Sequence, residues 1–360
     1  MARRIERVTV IGLGKVGELV ATLLHLGDFA VVGVDTRARE GLVFPTTVAD
    51  VRDGVALTAL LDDADAVVSC LPYHLNLAVA EAAAATATHY FDLTEDVDTT
   101  KRVRELAVDS DALFAPQCGL APGLIGIVGA SLTAGFEDLR AMELRVGALP
   151  HTPSGLLGYA FIWSPEGVVN EYLNDCDVIR GGRQQTAPAM SGLETVVIGG
   201  IKLEAFLTSG GLGTMCETFA GQVQNLNYKT LRYPGHCELM KFFFDELHLR
   251  DRRDLAGEIL VNAKPPVDDD VVYLYAAVEG RRGGELFRSQ YVRAYRPTVI
   301  DGRWWRAISW TTAASVCAVV EMVANDLLPA QGFQRQEHID FQAFCATTDG
   351  ARFADLRAAV

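Results

Sequence analysis

The 360-residue sequence contains no Cys-x-x-Cys pair, and its seven cysteines, at 70, 118, 176, 216, 237, 317 and 345, are odd in number and widely scattered. That spacing excludes a disulfide framework and a cysteine-based zinc site, and points to a reducing, cytoplasmic setting. Basic charge is in deficit: 32 Lys and Arg stand against 46 Asp and Glu, giving a net charge of −14. Such a surface repels a polyphosphate backbone, so nucleic acid is not an expected partner. There is no run of five like charges, no internal repeat and no low-complexity linker, which excludes solenoid and disordered classes. The opening MARRIERVTVIGLGKVG is basic, but its apolar stretch is broken by Gly12, Gly14 and Lys15, so no export signal is expected. The longest uncharged stretch, 112–136, carries Pro116 and Pro122 and reads as buried loop and helix, not as a membrane span.

The N-terminal third alternates β-branched runs with helical runs. VTVIG (8–12), FAVVGVD (29–35), DAVVSCL (65–71) and HYFDLT (89–94) read as strands, with helices over 15–26 and 75–87. This is the pattern of a doubly wound parallel sheet, an α/β Rossmann domain. From Pro116 the pattern changes. AMELRVGAL (141–149), DVVYLYAAVEG (270–280) and SQYVRAYRP (289–297) alternate, predicting a second, α+β domain with an antiparallel sheet. A strongly apolar helix over 311–328 is expected to return to the first domain. The expected division is therefore 1–120 with 310–360 as the dinucleotide-binding domain and 121–309 as the substrate-binding and dimerisation domain.

The chemistry begins at Gly12-x-Gly14-x-x-Gly17, which follows a strand, opens a helix, and has Asp35 at the end of the next strand. In that context Gly12 permits the tight turn, Gly14 admits a pyrophosphate and Gly17 packs helix against strand. Leu13, Lys15 and Val16 complete the loop, and Asp35 with Thr36 would meet the ribose. An aspartate there favours NAD over NADP, although Arg37 and Arg39 are close enough to offer a 2′-phosphate a partner. Cys70, Leu71 and Pro72 lie at the carboxyl end of a strand, where ligands bind in open α/β sheets, and Tyr73 and His74 would face substrate or merely begin the next helix.

In QCGLAPGLIG (117–126), Pro122 is expected as the first residue of a helix. Gly123, Gly126 and Gly129 suit close packing or a closing loop, and Cys118 reads as a small buried hydrophobe. NYKTLRYPGH (227–236) concentrates Tyr228, Lys229, Arg232, Tyr233 and His236, and suits a pocket wall or a charged surface hairpin. Arg232 is the candidate for bidentate capture of a substrate carboxylate. Tyr159, Trp163 and Glu166 in YAFIWSPEGVVNEY are either site residues or core aromatics with a first-turn helix glutamate.

Taken in order, VIGLGKVG, CLPYH, CGLAPG, YAFIWSPEGVVNEY, LEAF and YKTLRYPGH resemble the saccharopine dehydrogenase family over nearly the whole chain. The resemblance implies two domains with chemistry between them, a homodimer or larger homo-oligomer, and hydride transfer between a nicotinamide and a nitrogen-bearing carbon of a lysine-derived substrate. The saccharopine-oxidising branch carries an aspartate in its GLDPG loop where this chain has Ala121, a departure that implies a smaller amino acid such as L-lysine. On that reading Arg232, Tyr233, Tyr159 and Tyr73 bind substrate. His74, Tyr228 and His236 are the candidates for the proton-accepting catalytic base, and no metal is needed. Saccharopine oxidation, or a dinucleotide sensor without catalysis, are the alternatives.

Overall fold

The computed structural model describes residues 4–354; residues 1–3 and 355–360, included in the expected first domain, lie outside the described residues. The chain divides into two compact units, the first running to Ile127 and resuming at Ser309, the second spanning Val128–Ile308.

The first unit is a seven-stranded, wholly parallel sheet. Its strands are β1 (Arg7–Ile11), β2 (Ala30–Asp35), β3 (Thr46–Val48), β4 (Ala66–Ser69), β5 (His89–Asp92) and β6 (Leu113–Ala115), in the spatial order β3-β2-β1-β4-β5-β6. A two-residue strand, Gly332–Phe333, extends the sheet beyond β6. Helices α1 (Gly17–Leu26), α2 (Gly54–Asp62), α3 (Tyr73–Thr86) and α4 (Val97–Val108) connect the strands. β4 and β5 are buried along their whole length, as strands covered on both faces must be. The order reverses at β1, which lies between β2 and β4, so the β1–α1 and β4–α3 turns share one edge of the sheet.

The expected helix start at Pro122 is not observed. The Ala121–Pro122 peptide is cis, Ala121, Pro122 and Gly123 have non-helical angles, and the regular helix α5 runs Ile125–Ser131. Gly123, at φ +125°, has no room for a side chain: a Cβ would sit 2.7 Å from the Gln117 carbonyl. Gly129 packs closely, since a Cβ there would come 2.7 Å from Leu144.

The second unit is built on β7 (Asp138–Pro150), β8 (Cys176–Arg180), β9 (Arg183–Ala187), β10 (Glu194–Ile198), β11 (Ile201–Leu207), β12 (Val223–Arg232), β13 (Asp270–Arg282) and β14 (Glu285–Tyr295), with helix α6 over Pro165–Leu173. The order β10-β11-β12-β7-β13-β14 is antiparallel except at the centre, where β12 and β7 run parallel, so the sheet is mixed where a purely antiparallel one was expected. β12 is central: β11 flanks its 229–232 end and β8 pairs with residues 225–226. NYKTLRYPGH is thus not a surface hairpin but the buried end of a core strand, a turn, and the start of a short helix, His236–Lys241.

The helix Ala307–Ala324 has the length and apolar character to cross a membrane, yet 78% of it is buried in the fold. Its N-terminal amides are capped from a distance: Ala307 N and Ile308 N donate to the two oxygens of Asp270, at 2.6 and 2.9 Å. Asp270 is fully buried at the start of β13. Removing it strands two buried donors, so Asp270→Ala is expected to cost about 2–3 kcal/mol and lower Tm by several degrees, as read by thermal denaturation. An unchanged Tm would refute this capping role.

Candidate functional site

The first unit presents a cradle at the β1–α1 turn. Gly12, at φ +91°, donates its N–H to Val34 O, and a Cβ on it would meet Leu71 at 2.9 Å and Cys70 O at 3.0 Å. Gly17 lies so close beneath that its Cβ would fall 1.9 Å from Gly12 O. Gly14 differs, with nothing within 4 Å of its Cβ position. Two of the three glycines therefore close the turn, and the third leaves it open to a ligand. Neither α1 nor α3 has a side-chain cap at its N-terminus, so first-turn amides at the shared edge of β1 and β4 are not consumed by side chains. These features fit a pyrophosphate.

Asp35 ends β2 beside this turn. Leu13 N and the Arg39 guanidinium donate to one of its oxygens at 3.0 and 3.3 Å, and Arg37 N donates to the other at 3.1 Å. Burial pushes its pKa up, but the hydrogen bonds and the Arg39 charge outweigh burial and hold it below the ordinary carboxylate value. Leu13 is buried, whereas Lys15 and Thr36 are exposed and Val16 is partly buried. Cys70, Leu71, Pro72, Tyr73 and His74 form the β4–α3 turn and the first turn of α3; Pro72 and His74 are exposed and the other three are partly buried. Burial pushes the Cys70 thiol up to about 12.

Beneath this turn lies a group that the sequence reading did not single out. Asp92, fully buried at the end of β5, accepts from Tyr90 Oη at 2.7 Å, Gln117 N at 2.8 Å and Thr94 N at 3.0 Å. It ties the ends of β5 and β6 together. Cys118 is buried as expected, its thiol donating to Ala115 O.

The second unit gathers most of the other candidates around Arg232, the last residue of β12. Arg232 is 2% exposed. Its Nε donates to Tyr172 Oη at 2.7 Å, and its Nη1 donates to Thr230 Oγ1 and, at 2.8 Å, to Leu231 O. The guanidinium lies 4.7 Å from the Tyr159 ring centre and 5.6 Å from that of Tyr172. Among the described residues it makes no ion pair, and Nη2 has no hydrogen-bond partner. Burial opposes its charge, but Tyr172, Tyr159 and Glu171 push its pKa above the usual arginine value. Tyr159 Oη is also buried without a partner; the Trp163 indole approaches it outside hydrogen-bonding geometry. With Nε and Nη1 engaged, the expected bidentate capture is not available, but a buried guanidinium with Nη2 unused beside an unsatisfied phenol is chemically suited to hold an anion.

The strand pair holds an instructive control. Arg145 on β7, equally buried, donates from Nε to Glu194 at 2.8 Å, and Lys229 pairs with the same carboxylate at 2.7 Å. The fold thus pairs one buried arginine directly with a carboxylate and leaves the other, among the described residues, without an ion pair.

Two candidates for the proton-accepting role do not suit it. His236 is 1% exposed with both ring nitrogens engaged, one 3.0 Å from Leu157 O and the other 2.9 Å from Tyr172 Oη. Burial first, and then the charge of Arg232, pull its pKa down to about 3, so the ring is neutral and already committed. Tyr228 is buried against Gly211, and burial raises its pKa, so it keeps its proton. Tyr233 is also spent structurally: its hydroxyl donates to Pro150 O at 2.9 Å, which corrects its expected role on substrate. His74, by contrast, has an exposed side chain.

Tyr172 and Glu171, near the end of α6, were missed. They sit in the quoted YAFIWSPEGVVNEY segment, and the helix that Ser164 caps at Gly167 N buries both. Glu166 lies in its exposed first turn.

Comparison with known proteins gives a consistent picture. Residues 8–115 match the family described as "Saccharopine dehydrogenase NADP binding domain", and residues 119–347 match "Saccharopine dehydrogenase C-terminal domain". Among solved structures, the chain is similar to apo saccharopine dehydrogenase (L-Glu forming) from Saccharomyces cerevisiae. The TM-score is 0.76 at 17% identity, covering 92% of this chain and 94% of that one. It is also similar to DAP dehydrogenase from C. glutamicum, at TM-score 0.50 and 12% identity, covering 98% and 99%.

The state of His236 gives a prediction about stability. A histidine titrating at about 3 when folded, against 6.5 ordinarily, takes up its proton only on unfolding between those values. Stability from this residue is therefore complete above about pH 6.5 and is lost as pH falls, at up to about 1.4 kcal/mol per pH unit. Denaturant titrations from pH 4 to 7 should show a shallower acid limb in His236→Gln; an identical limb would refute the assignment.

Proposed function

Because the chain belongs to the saccharopine dehydrogenase family, we propose that it is an L-lysine 6-dehydrogenase: hydride passes from the ε-carbon of L-lysine to NAD, giving NADH and an imine, and water hydrolyses the imine to ammonia and the semialdehyde, which cyclises to piperideine carboxylate. The family supplies the coarse activity, that of an oxidoreductase with a nicotinamide dinucleotide cofactor. The observation that carries the finer reading is Arg232, a buried guanidinium in no ion pair among the described residues and with one nitrogen, Nη2, unengaged. The α-carboxylate of an amino acid supplies the missing anion. Ala121 supports the smaller substrate, because its partly exposed, extended position offers no charge to a second amino-acid moiety.

The residues then divide the work. Gly12, Gly14 and Gly17, the N-termini of α1 and α3, which no side chain caps, and Asp35 hold the dinucleotide, with Leu13 N tied to Asp35 so that loop and ribose acceptor move as one piece. The bound nicotinamide supplies the hydride acceptor. Arg232 fixes the carboxylate end of the substrate, which leaves the ε-carbon as the end to be oxidised. Tyr159 Oη donates its unused proton to the same carboxylate. The ε-ammonium, with an ordinary pKa of about 10.4, must lose a proton before its carbon can release hydride. Exposed His74 is the side chain assigned to take it. We place Asp35 on the NAD side of the cofactor choice, since a carboxylate repels a 2′-phosphate. The protein works as a cytoplasmic homodimer or larger homo-oligomer on a small amino acid.

The deciding assay follows NADH formation with L-lysine and with saccharopine separately, together with released ammonia. Lysine-dependent NADH with ammonia is expected, at a rate that rises toward alkaline pH as the neutral amine becomes more abundant. Activity on saccharopine alone, giving glutamate and no ammonia, would overturn the substrate. Arg232→Lys is expected to raise KM for L-lysine about tenfold or more, because an ammonium cannot keep the bonds to Tyr172, Thr230 and Leu231 and still present a positioned donor to the carboxylate; unchanged kinetics would remove Arg232 from carboxylate binding.

A further inference from the structure

An arginine that offers a carboxylate Nη2 alone has to be held against rotation in its own plane as well as tilt. Stacking on Tyr159 at 4.7 Å restrains the tilt, but a ring face has no direction that could stop the guanidinium turning upon it. The rotation is set by hydrogen bonds, and those at Nε lead into a chain whose proton positions are all determined. Leu157 O is an acceptor only, so the His236 nitrogen facing it, Nδ1, carries the hydrogen. In the neutral ring Nε2 is then an acceptor, and Tyr172 Oη, 2.9 Å away, donates to it. With its only proton so directed, Tyr172 Oη offers its lone pairs to the Arg232 Nε–H at 2.7 Å. Phe206 stacks on His236 with ring centres 6.2 Å apart and planes 15° apart, and Tyr159 meets it edge-on at 5.2 Å, so the imidazole cannot flip without displacing both.

We propose that Tyr172 and His236 are positioning residues for the anion site: through the chain Leu157–His236–Tyr172–Arg232 they complete, at Nε, the hold that Thr230 and Leu231 exert at Nη1, and so keep the guanidinium in the rotation that presents Nη2 to a substrate carboxylate. The inference rests on the reading of Arg232 as the carboxylate holder. Neither residue touches the reacting atoms, and neither exchanges a proton during turnover. Tyr172→Phe removes the acceptor at Nε, His236→Leu removes the acceptor that orients the Tyr172 hydroxyl, and His236→Gln keeps an acceptor oxygen where Nε2 stood.

The test pairs kinetics with binding. Tyr172→Phe and His236→Leu are expected to raise KM for L-lysine about tenfold while kcat changes less than about threefold, and His236→Gln to recover most of that loss. The preference for L-lysine over 1,5-diaminopentane, which lacks the carboxylate, should fall by the same factor. A fold weakened in general would not change that ratio. Calorimetric titration with L-norleucine, which carries the α-carboxylate but no ε-amine, reads the site without turnover. If Arg232→Ala weakens norleucine binding while Tyr172→Phe and His236→Leu bind as tightly as the parent protein, the positioning role is overturned and Arg232 keeps its own. If the parent protein and Arg232→Ala are alike in failing to bind norleucine and in lacking activity on lysine, the carboxylate reading falls and the positioning role with it. Should Tyr172→Phe not fold, the comparison of His236→Leu with His236→Gln decides alone.

Discussion

A guanidinium taken out of water loses several kcal/mol of hydration that the protein must return in some other form. At Arg145 the return is ionic, through Glu194. At Arg232 it comes from two aromatic faces and from three neutral acceptors, Tyr172, Thr230 and Leu231. Together with the more distant charge of Glu171 these keep the guanidinium charged though buried, without an ion pair among the described residues. Much of the second unit follows from that condition: the helix that carries Tyr172, the strand that carries Phe206 and the turn that carries His236 all converge on one side chain. In the proposed reading such a site favours an anion, since a neutral ligand gains little from it and a carboxylate gains a charge-assisted hydrogen bond from Nη2.

The first unit solves the opposite problem, that of holding a negatively charged ligand by backbone alone. Here the chain conserves space instead of charge. Gly12 and Gly17 are pressed against Leu71, Cys70 and each other, so the turn is rigid, while uncapped amides of α1 and α3 remain at its rim. Asp35 links the two requirements. By accepting from Leu13 N it ties the glycine turn to the end of β2, and in the proposed reading it is also the acceptor for the ribose.

The sequence made the first unit far more legible than the second, and the reason is physical. The glycine fingerprint, the β-branched runs and the acid after β2 are local signals, each expressed within about thirty residues, and the parallel sheet follows from them. The Arg232 site is instead assembled from 157–159, 171–172, 204–206 and 230–236, brought together by strand pairing that no short window encodes. Arg232 could be chosen because its neighbours are dense in polar groups, yet the same density misassigned His236 and Tyr228, whose burial removes them from proton transfer. Tyr172 carried no local signal that set it apart in its segment. The Pro122 error has a similar origin, since proline suits the first turn of a helix equally well as an extended, non-helical bend, and only the packing of Gly123 on Gln117 distinguishes the two. The edge strand Gly332–Phe333, two residues long, is below the length at which alternation carries any information.

Glu204 shows how the unpaired state of Arg232 is maintained. On antiparallel β11 it stands directly across from Arg232, the position from which opposite charges ordinarily pair. Both of its oxygens are instead occupied by the turn beyond β12: Gly235 N donates to one at 2.8 Å and Cys237 N to the other at 2.5 Å. Those two donors hold Gly235 in its left-handed conformation and start the helix from which His236 reaches back to Tyr172. The nearest carboxylate in the sheet is thus spent on shaping the turn, and the shaped turn supplies the histidine that orients the arginine. Had Glu204 paired with Arg232 directly, the charge would be satisfied, the turn would lose its anchor, and the opening for an external carboxylate would be closed.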